Sequence, residues 1–147
     1  MKVRLILITI AVIYMGSMKA QNLDAYQWKN RIVVVSSPNA SNADYIKQMN
    51  EFADSAEGLA DRKMLLYEMV EDKYKITNYL SANNDTEWKN VNGQDQNNKK
   101  PVEAFKVQLI GLDGSVKLEQ KDILTKKTLF NTIDSMPMRI REKRNKD

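Results

Sequence analysis

Four consecutive β-branched residues, Ile32 to Val35, form the densest apolar run beyond the first twenty positions, and the pattern around them predicts a strand–helix–strand unit. So uniform a run suits a strand covered on both faces, as at the centre of a parallel sheet. Ser36, Ser37 and Pro38 end it. Ser41 is placed to cap a following helix, with Asp44 at the third helical position. Tyr45, Met49, Phe52 and Ala56 then recur at helical spacing, with Ile46 and Ala53 widening the stripe. Gly58 fits the position just past the end of that helix. Met64 to Val70 is apolar except for Glu68 and predicts the second strand, joined to the first by a right-handed crossover.

Upstream, Leu23 to Asn30 offers Tyr26 and Trp28 as packing residues. Downstream, Ile76, Tyr79 and Leu80 are spaced to line a short helix starting near Tyr74. Residues 83–101, rich in Asn, Gln, Lys and Asp, read as a long surface loop with Trp88 and Val91 to bury. Phe105, Val107 and Leu109 alternate with Lys106 and Gln108, the pattern of an antiparallel strand with one wet face. Asp113-Gly114 supplies a hairpin turn, and Val116 and Leu118 continue the alternation beyond it. Thr125 to Ser135 is helical, with Leu129, Phe130, Ile133 and Met136 on one face and Pro137 closing it. A βαβ unit, a linking helix and a ββα unit, in that order, predict an α/β thioredoxin-like sandwich with a central four-stranded mixed sheet. Other small α/β sandwiches share the pattern.

The ends change how the charge is read. Lys2 and Arg4 precede an eleven-residue apolar stretch, Leu5 to Met15, followed by small residues up to Ala20. A bilayer-crossing helix needs about 20 apolar residues, so residues 1–20 are expected to be a secretory signal peptide cleaved after Ala20. No stable membrane insertion is expected after cleavage, and the destination is the periplasm or the external medium. The leader carries three of the 23 basic residues and none of the 19 acidic ones, so residues 21–147 keep a net charge of +1. That balance removes the case for a nucleic-acid partner. The remaining basicity gathers in a tail at 139–147, read as solvated. The 127 residues after Ala20 make one domain, long enough to bury roughly two-thirds of its surface without staples.

Cysteine and histidine are both absent. In an exported protein this excludes disulfides, and it excludes thiol–disulfide oxidoreductase and peroxiredoxin chemistry by the chain's own thiol. It also removes the usual acid/base and the commonest metal ligand near neutral pH.

Several segments resemble one family. LDAYQWKNRIVVVSSP is similar to the opening of the DUF4174 domain, and GLADRKMLLYEMV to its Asp-Arg segment before the second strand. LIGLDGSVKL and LFNTIDSMPMRIREK resemble its closing half. Leu112 stands where the family's turn typically has Lys, and Lys143 where Met often follows the final Glu. The resemblance implies a thioredoxin-like fold. It also implies kinship with domains that occur in tandem, or beside sushi repeats, in animal secreted and matrix-associated proteins. It carries no catalytic residues with it.

Within that frame the candidate chemistry is sparse. Ser36, Ser37 and Ser41 occupy the loop where a thioredoxin keeps its redox pair, and with free helix-start amides they offer an anion- or thiolate-binding site. The alternative is turn formation and capping, for which Ser and Asn are preferred. Arg62 and Arg139 either form an anion pocket or pair with acidic neighbours such as Asp134 to lock the last helix onto the sheet. Asp61, Gly111, Asp113, Gly114, Asp134, Met136, Pro137 and Met138 are the remaining motif positions. Met136 and Met138 are read as packing, because two lone thioethers make a poor copper site. Residues 92–95 lack the carboxylates of a calcium loop. No metal, cofactor or catalytic residue is assigned. The function expected is a non-catalytic binding or adhesion module with an exported protein or cell-surface component as partner. The alternative is a thiol- or anion-dependent transferase working from the Ser36–Ser41 loop.

Overall fold

The computed structural model describes residues 23–81, 84, 86–91 and 102–146. The leader with its cleavage point, residues 92–95 and the greater part of the 83–101 loop lie outside the described residues. Among the described residues the architecture is mixed α/β: one sheet of six strands, with four α-helices.

The β-branched run forms β1 (Arg31–Ser37), buried along its whole length. It pairs in parallel with β2 (Met64–Val70), Val33 beside Leu66, and antiparallel with β5 (Lys106–Ile110), Val33 beside Leu109. Its two faces feed two cores, as the apolar run requires. Val33 and Val35 join Phe52, Leu59, Leu66, Leu109, Leu129 and Ile133 beneath the helices. Ile32 and Val34 join Leu65 and Tyr67 on the opposite face, under Leu23, Tyr26 and Tyr74. On that second face the Tyr67 and Tyr74 rings stack in parallel at 5.5 Å, and burial pushes the Tyr67 phenol up to about 12. A short 3-10 turn, Leu23–Tyr26, brings Tyr26 to this face, whereas Trp28 lies exposed at a positive φ of 65° and does not pack as expected.

The first helix is split in two. In α1 (Ala43–Ala53) the cap is Asn42, whose side chain accepts from Asp44 N and Tyr45 N, and not Ser41. Ala56 opens a separate α2 (Ala56–Asp61), which contains Gly58. The left-handed residue past its end is Lys63, at φ 53°, and Lys63 N donates to Ala60 O at 2.9 Å. Gly58 is needed for a different reason: a Cβ there would stand 2.7 Å from the Phe130 ring. Gly58→Ala is therefore expected to lose about 1–3 kcal/mol from overpacking, although alanine gains about 1 kcal/mol of helix propensity. Urea unfolding measures it, and a stabilised variant would refute the crowding.

The largest departure lies between the two halves. The segment read as a helix from Tyr74 is β3 (Lys73–Asn78), an antiparallel partner of β2 with Tyr67 beside Ile76. A two-residue β4 (Lys89–Asn90) pairs with β3 inside the stretch read as loop. With β6 (Val116–Gln120) at the far edge, the sheet order among the described residues is therefore β4-β3-β2-β1-β5-β6 rather than four strands. The cause is visible in the residues: Tyr74 and Ile76 alternate with Lys73, Lys75 and Thr77, a period of two. Trp88 is exposed rather than buried.

Across the Asp113-Gly114 turn, β5 pairs with β6 (Val116–Gln120). An irregularity between Leu109 and Ile110 shifts the register, leaving Leu118 against the core but Val116 exposed. Thr125 caps α3 (Lys126–Asp134) through its side chain. Pro137 does not merely end that helix. It opens α4 (Pro137–Arg144) at the first position, where its fixed φ and missing N–H fit, so most of the basic tail is helical.

Candidate functional site

Asp61 ends α2, Asp134 ends α3 and Glu142 lies in α4, and these three carboxylates gather six cations. Arg139 is central and only 1 % exposed. Its Nε donates to Asp134 Oδ1 at 3.2 Å and its Nη1 to Asp61 O at 2.7 Å, while Nη2 bonds the Asp61 carboxylate. Arg62 donates to Asp134 Oδ2 at 2.7 Å and to Gly58 O at 2.9 Å, with its guanidinium 4.0 Å above the Phe130 ring. Arg31, from the start of β1, makes a two-pronged bond to Glu142 at 3.2 Å and donates to Arg62 O at 3.0 Å. Lys63, Lys143 and Lys146 add contacts from the rim at 3.7, 3.4 and 2.6 Å. Arg62, Asp134 and Arg139 thus meet in mutual contacts, together with Arg31 and Glu142, which the sequence reading did not single out.

These pairs set the acid response. The Lys146 ammonium, followed by Arg139, pulls Asp61 from 3.8 to about 2. Burial alone would raise Asp134, but Arg62 and Arg139 outweigh it; Arg31 does the same for Glu142, so both carboxyls titrate below their ordinary range. A folded-state pKa below the unfolded value adds stability above the unfolded value, lost as pH falls through the folded one. Thermal melts should therefore hold steady above about pH 5 and drop steeply towards pH 2. A melting temperature unchanged down to about pH 2 would contradict the network's role.

Beside this lock lies a cavity of about 460 Å³, bounded by Gly111, Leu112, Asp113 and Lys117 on one side and by Thr132 and Ser135 to Met138 on the other, with Arg31 in its wall. The turn that builds it is tightly specified. Asp113 accepts from Ser115 N at 3.1 Å, Ser115 Oγ at 2.8 Å and Lys117 Nζ at 2.7 Å. Lys117, then Ser115, hold its carboxyl down at about 2. Gly114 takes a φ of 79°, open to glycine at no steric cost. A Cβ at Gly111 would stand 2.5 Å from Lys117 Cε and 2.9 Å from Asp113 Oδ1, so a side chain there would displace the Lys117–Asp113 pair. Trp28 N and Gln27 Nε2 clamp the turn from outside, donating to Leu112 O at 2.6 Å and Asp113 O at 2.9 Å. Leu112, at the position where the resemblance expects Lys, is buried in the cavity wall. Gly111, Asp113, Met136, Pro137 and Met138 all line this cavity, and Gly114 shapes the turn beside it.

The serine loop lies at the other end of β1. Ser36 and Ser37 are buried. Ser37 Oγ donates to Asn39 O at 2.7 Å and Ser41 Oγ to Asn39 Oδ1 at 3.0 Å. Two amides at the start of α1 are already bonded to Asn42.

A second buried polar cluster surrounds Glu68, in β2. Tyr45 OH donates to Glu68 Oε1 at 2.6 Å and Lys75 Nζ lies 2.9 Å from Oε2. Desolvation, then Glu68 itself, push the Tyr45 phenol far up. Lys75 is in turn 4.8 Å from the centre of the Trp88 ring. Among the described residues, no group of three or more His, Cys, Asp or Glu is placed to hold a metal ion, and no helix is long and apolar enough to cross a membrane.

A match to the family described as a domain of unknown function (DUF4174) spans residues 22–142, from the opening 3-10 turn into α4. The chain belongs to the DUF4174 family. No curated protein and no solved structure matches it. The cavity and the ion-pair lock apart from Lys143 and Lys146 lie within this DUF4174 region, and most of the cavity wall is built from its closing motifs.

Proposed function

We propose that this DUF4174 protein is an exported, non-catalytic binding module of thioredoxin-like build, with the cavity beside α4 as its recognition site. The thioredoxin-like reading draws support from the strand order β2-β1-β5-β6, the parallel β1–β2 pair and the antiparallel β5–β6 hairpin. In this chain the hairpin β3–β4 stands in place of a linking helix. Export rests on the leader at residues 1–20, and mass spectrometry of the recovered protein should find Gln21 at its terminus. The partner in this reading is an exported protein, a cell-surface component or a small molecule they present.

The observation that carries the binding role is the cavity itself. It is concave, largely apolar and of the size that small-molecule sites have, about 300–1,000 Å³. What weighs against the serine loop as a reactive site is that the Ser37 and Ser41 hydroxyls and two neighbouring amides are engaged in turn and cap bonds, while Ser36 is buried. A crystallographic fragment screen tests the choice. Fragments should collect between Leu112 and Met138. Fragments gathering at Ser36–Ser41, or turnover of small thiols or phosphate esters at enzyme-like rates, would overturn it.

A further inference from the structure

We propose that the outward face of α4, together with Trp28, docks the protein onto an anionic lipid bilayer surface. α4 is held to the body along one stripe: Glu142 bonds Arg31, Arg139 bonds Asp134 and Lys146 bonds Asp61. Positions three, four and seven apart share a helix face, so Pro137, Arg141 and Arg144 form the opposite stripe, and all three are exposed. The Arg141 and Arg144 guanidiniums have no ion pair or hydrogen bond among the described residues, whereas Arg31, Arg62 and Arg139 are all engaged. Met138 and Ile140, both exposed, flank this stripe. Arginine's planar fork matches phosphate oxygens in pairs, and apolar side chains beside it can enter the headgroup layer.

Trp28 adds an independent observation from the other end of the chain. At 63 % exposure it is the least covered large apolar side chain among the described residues. Its backbone sits at φ 65°, a conformation that a bulky residue keeps only where its surroundings impose it. Here its N–H donates to Leu112 O at 2.6 Å, and Arg31, three residues on, bonds Glu142 of α4. Trp28 is thus held outward at the end of the molecule where α4 lies. Tryptophan is enriched at the boundary between hydrocarbon and water.

Charge decides the occupant. Asp61, Asp134 and Glu142, the carboxylates beneath α4, are already bonded to arginines, so the outer face presents cations that an anionic leaflet complements. A soluble polyanion would satisfy the arginines but leave Trp28, Met138 and Ile140 in water; a bilayer accommodates both. The eight residues of α4 are too few to cross a membrane, so the contact stays at the surface. It is independent of what the cavity holds.

The test is co-sedimentation of the purified protein with vesicles of phosphatidylcholine alone and of phosphatidylcholine mixed with phosphatidylglycerol, with tryptophan emission read alongside. The anionic vesicles are expected to bind at least tenfold more tightly than the neutral ones, and the binding should weaken as salt rises. The double variant Arg141→Ala/Arg144→Ala removes two exposed, unpaired side chains, so it should keep the melting temperature and bind about 20- to 30-fold more weakly. Trp28→Gly suits the left-handed backbone and should abolish the blue shift seen on anionic vesicles, although Trp88 remains. Equal binding to both vesicles, binding to neither, binding that survives the arginine variant, or a blue shift that survives Trp28→Gly would each overturn the assignment. Heparin bound as tightly as anionic vesicles, with no change in Trp28 emission, would overturn the bilayer as partner and give the face to soluble polyanions.

Discussion

Replacing Arg139 by methionine should remove about 2–3 kcal/mol of stability, the range for losing hydrogen bonds between a buried charged donor and its carboxylate and carbonyl acceptors. Methionine keeps much of the apolar stem, so the loss isolates the guanidinium. Asp61 and Asp134 would lose their most buried partner, and Asp61 O would lose its 2.7 Å donor. For a domain of this size the melting temperature should fall by roughly 8–15 °C. Lys146→Ala is the control. Lys146 also bonds Asp61, but its side chain is 59 % exposed, and exposed pairs contribute about 0–1 kcal/mol. Equilibrium urea unfolding of both variants decides the matter. Similar losses from the two would mean that burial of Arg139 adds nothing.

The second large effect is expected at Lys75, whose ammonium is the cationic partner of the buried Glu68. Lys75→Met leaves that carboxylate with only the Tyr45 hydroxyl, and the fold should lose about 3 kcal/mol or more. Adding Glu68→Gln should recover most of it, because a neutral amide oxygen still accepts from Tyr45 without a buried charge. The double-mutant cycle should give a coupling of about 1–3 kcal/mol. Additive losses would show that the two side chains act independently and that the contact is incidental. Trp88 fluorescence offers a parallel readout, since Lys75 sits over its ring.

How much of this was legible in the chain depends on the range over which each signal acts. The runs that became β1 and β2, the alternation in β5 and the stripe of α3 are local patterns, and each formed as its spacing required. The β3 segment carried both signals. Its alternation over Lys73–Asn78 competed with a helical spacing of Ile76, Tyr79 and Leu80, and pairing with β2 decided the outcome. The Leu109/Ile110 irregularity turned Val116 outward, which no count of alternating residues could anticipate. In α4 the buried residue is an arginine within a charged run, so hydropathy pointed the wrong way. The better clue was Pro137, as suited to opening a helix as to closing one. Arg31 and Glu142 are 111 positions apart, and nothing short-range links them. The cavity is the same kind of fact, because its two walls come from separate motifs and only the fold brings them together.

The bond between β1 and α4 has a consequence for how the molecule is made. Arg31 is synthesised 111 residues ahead of its counter-ion, Glu142. A nascent or prematurely terminated chain therefore holds a cationic group that must stay in water, keeping the first strand from settling into its final place. Joining residues so distant in sequence is entropically a late step of folding, so α4 can secure β1 only after everything between them has been translated. Chains ended before Glu142 should show weak hydrogen-exchange protection at β1, the strand most deeply embedded in the finished protein.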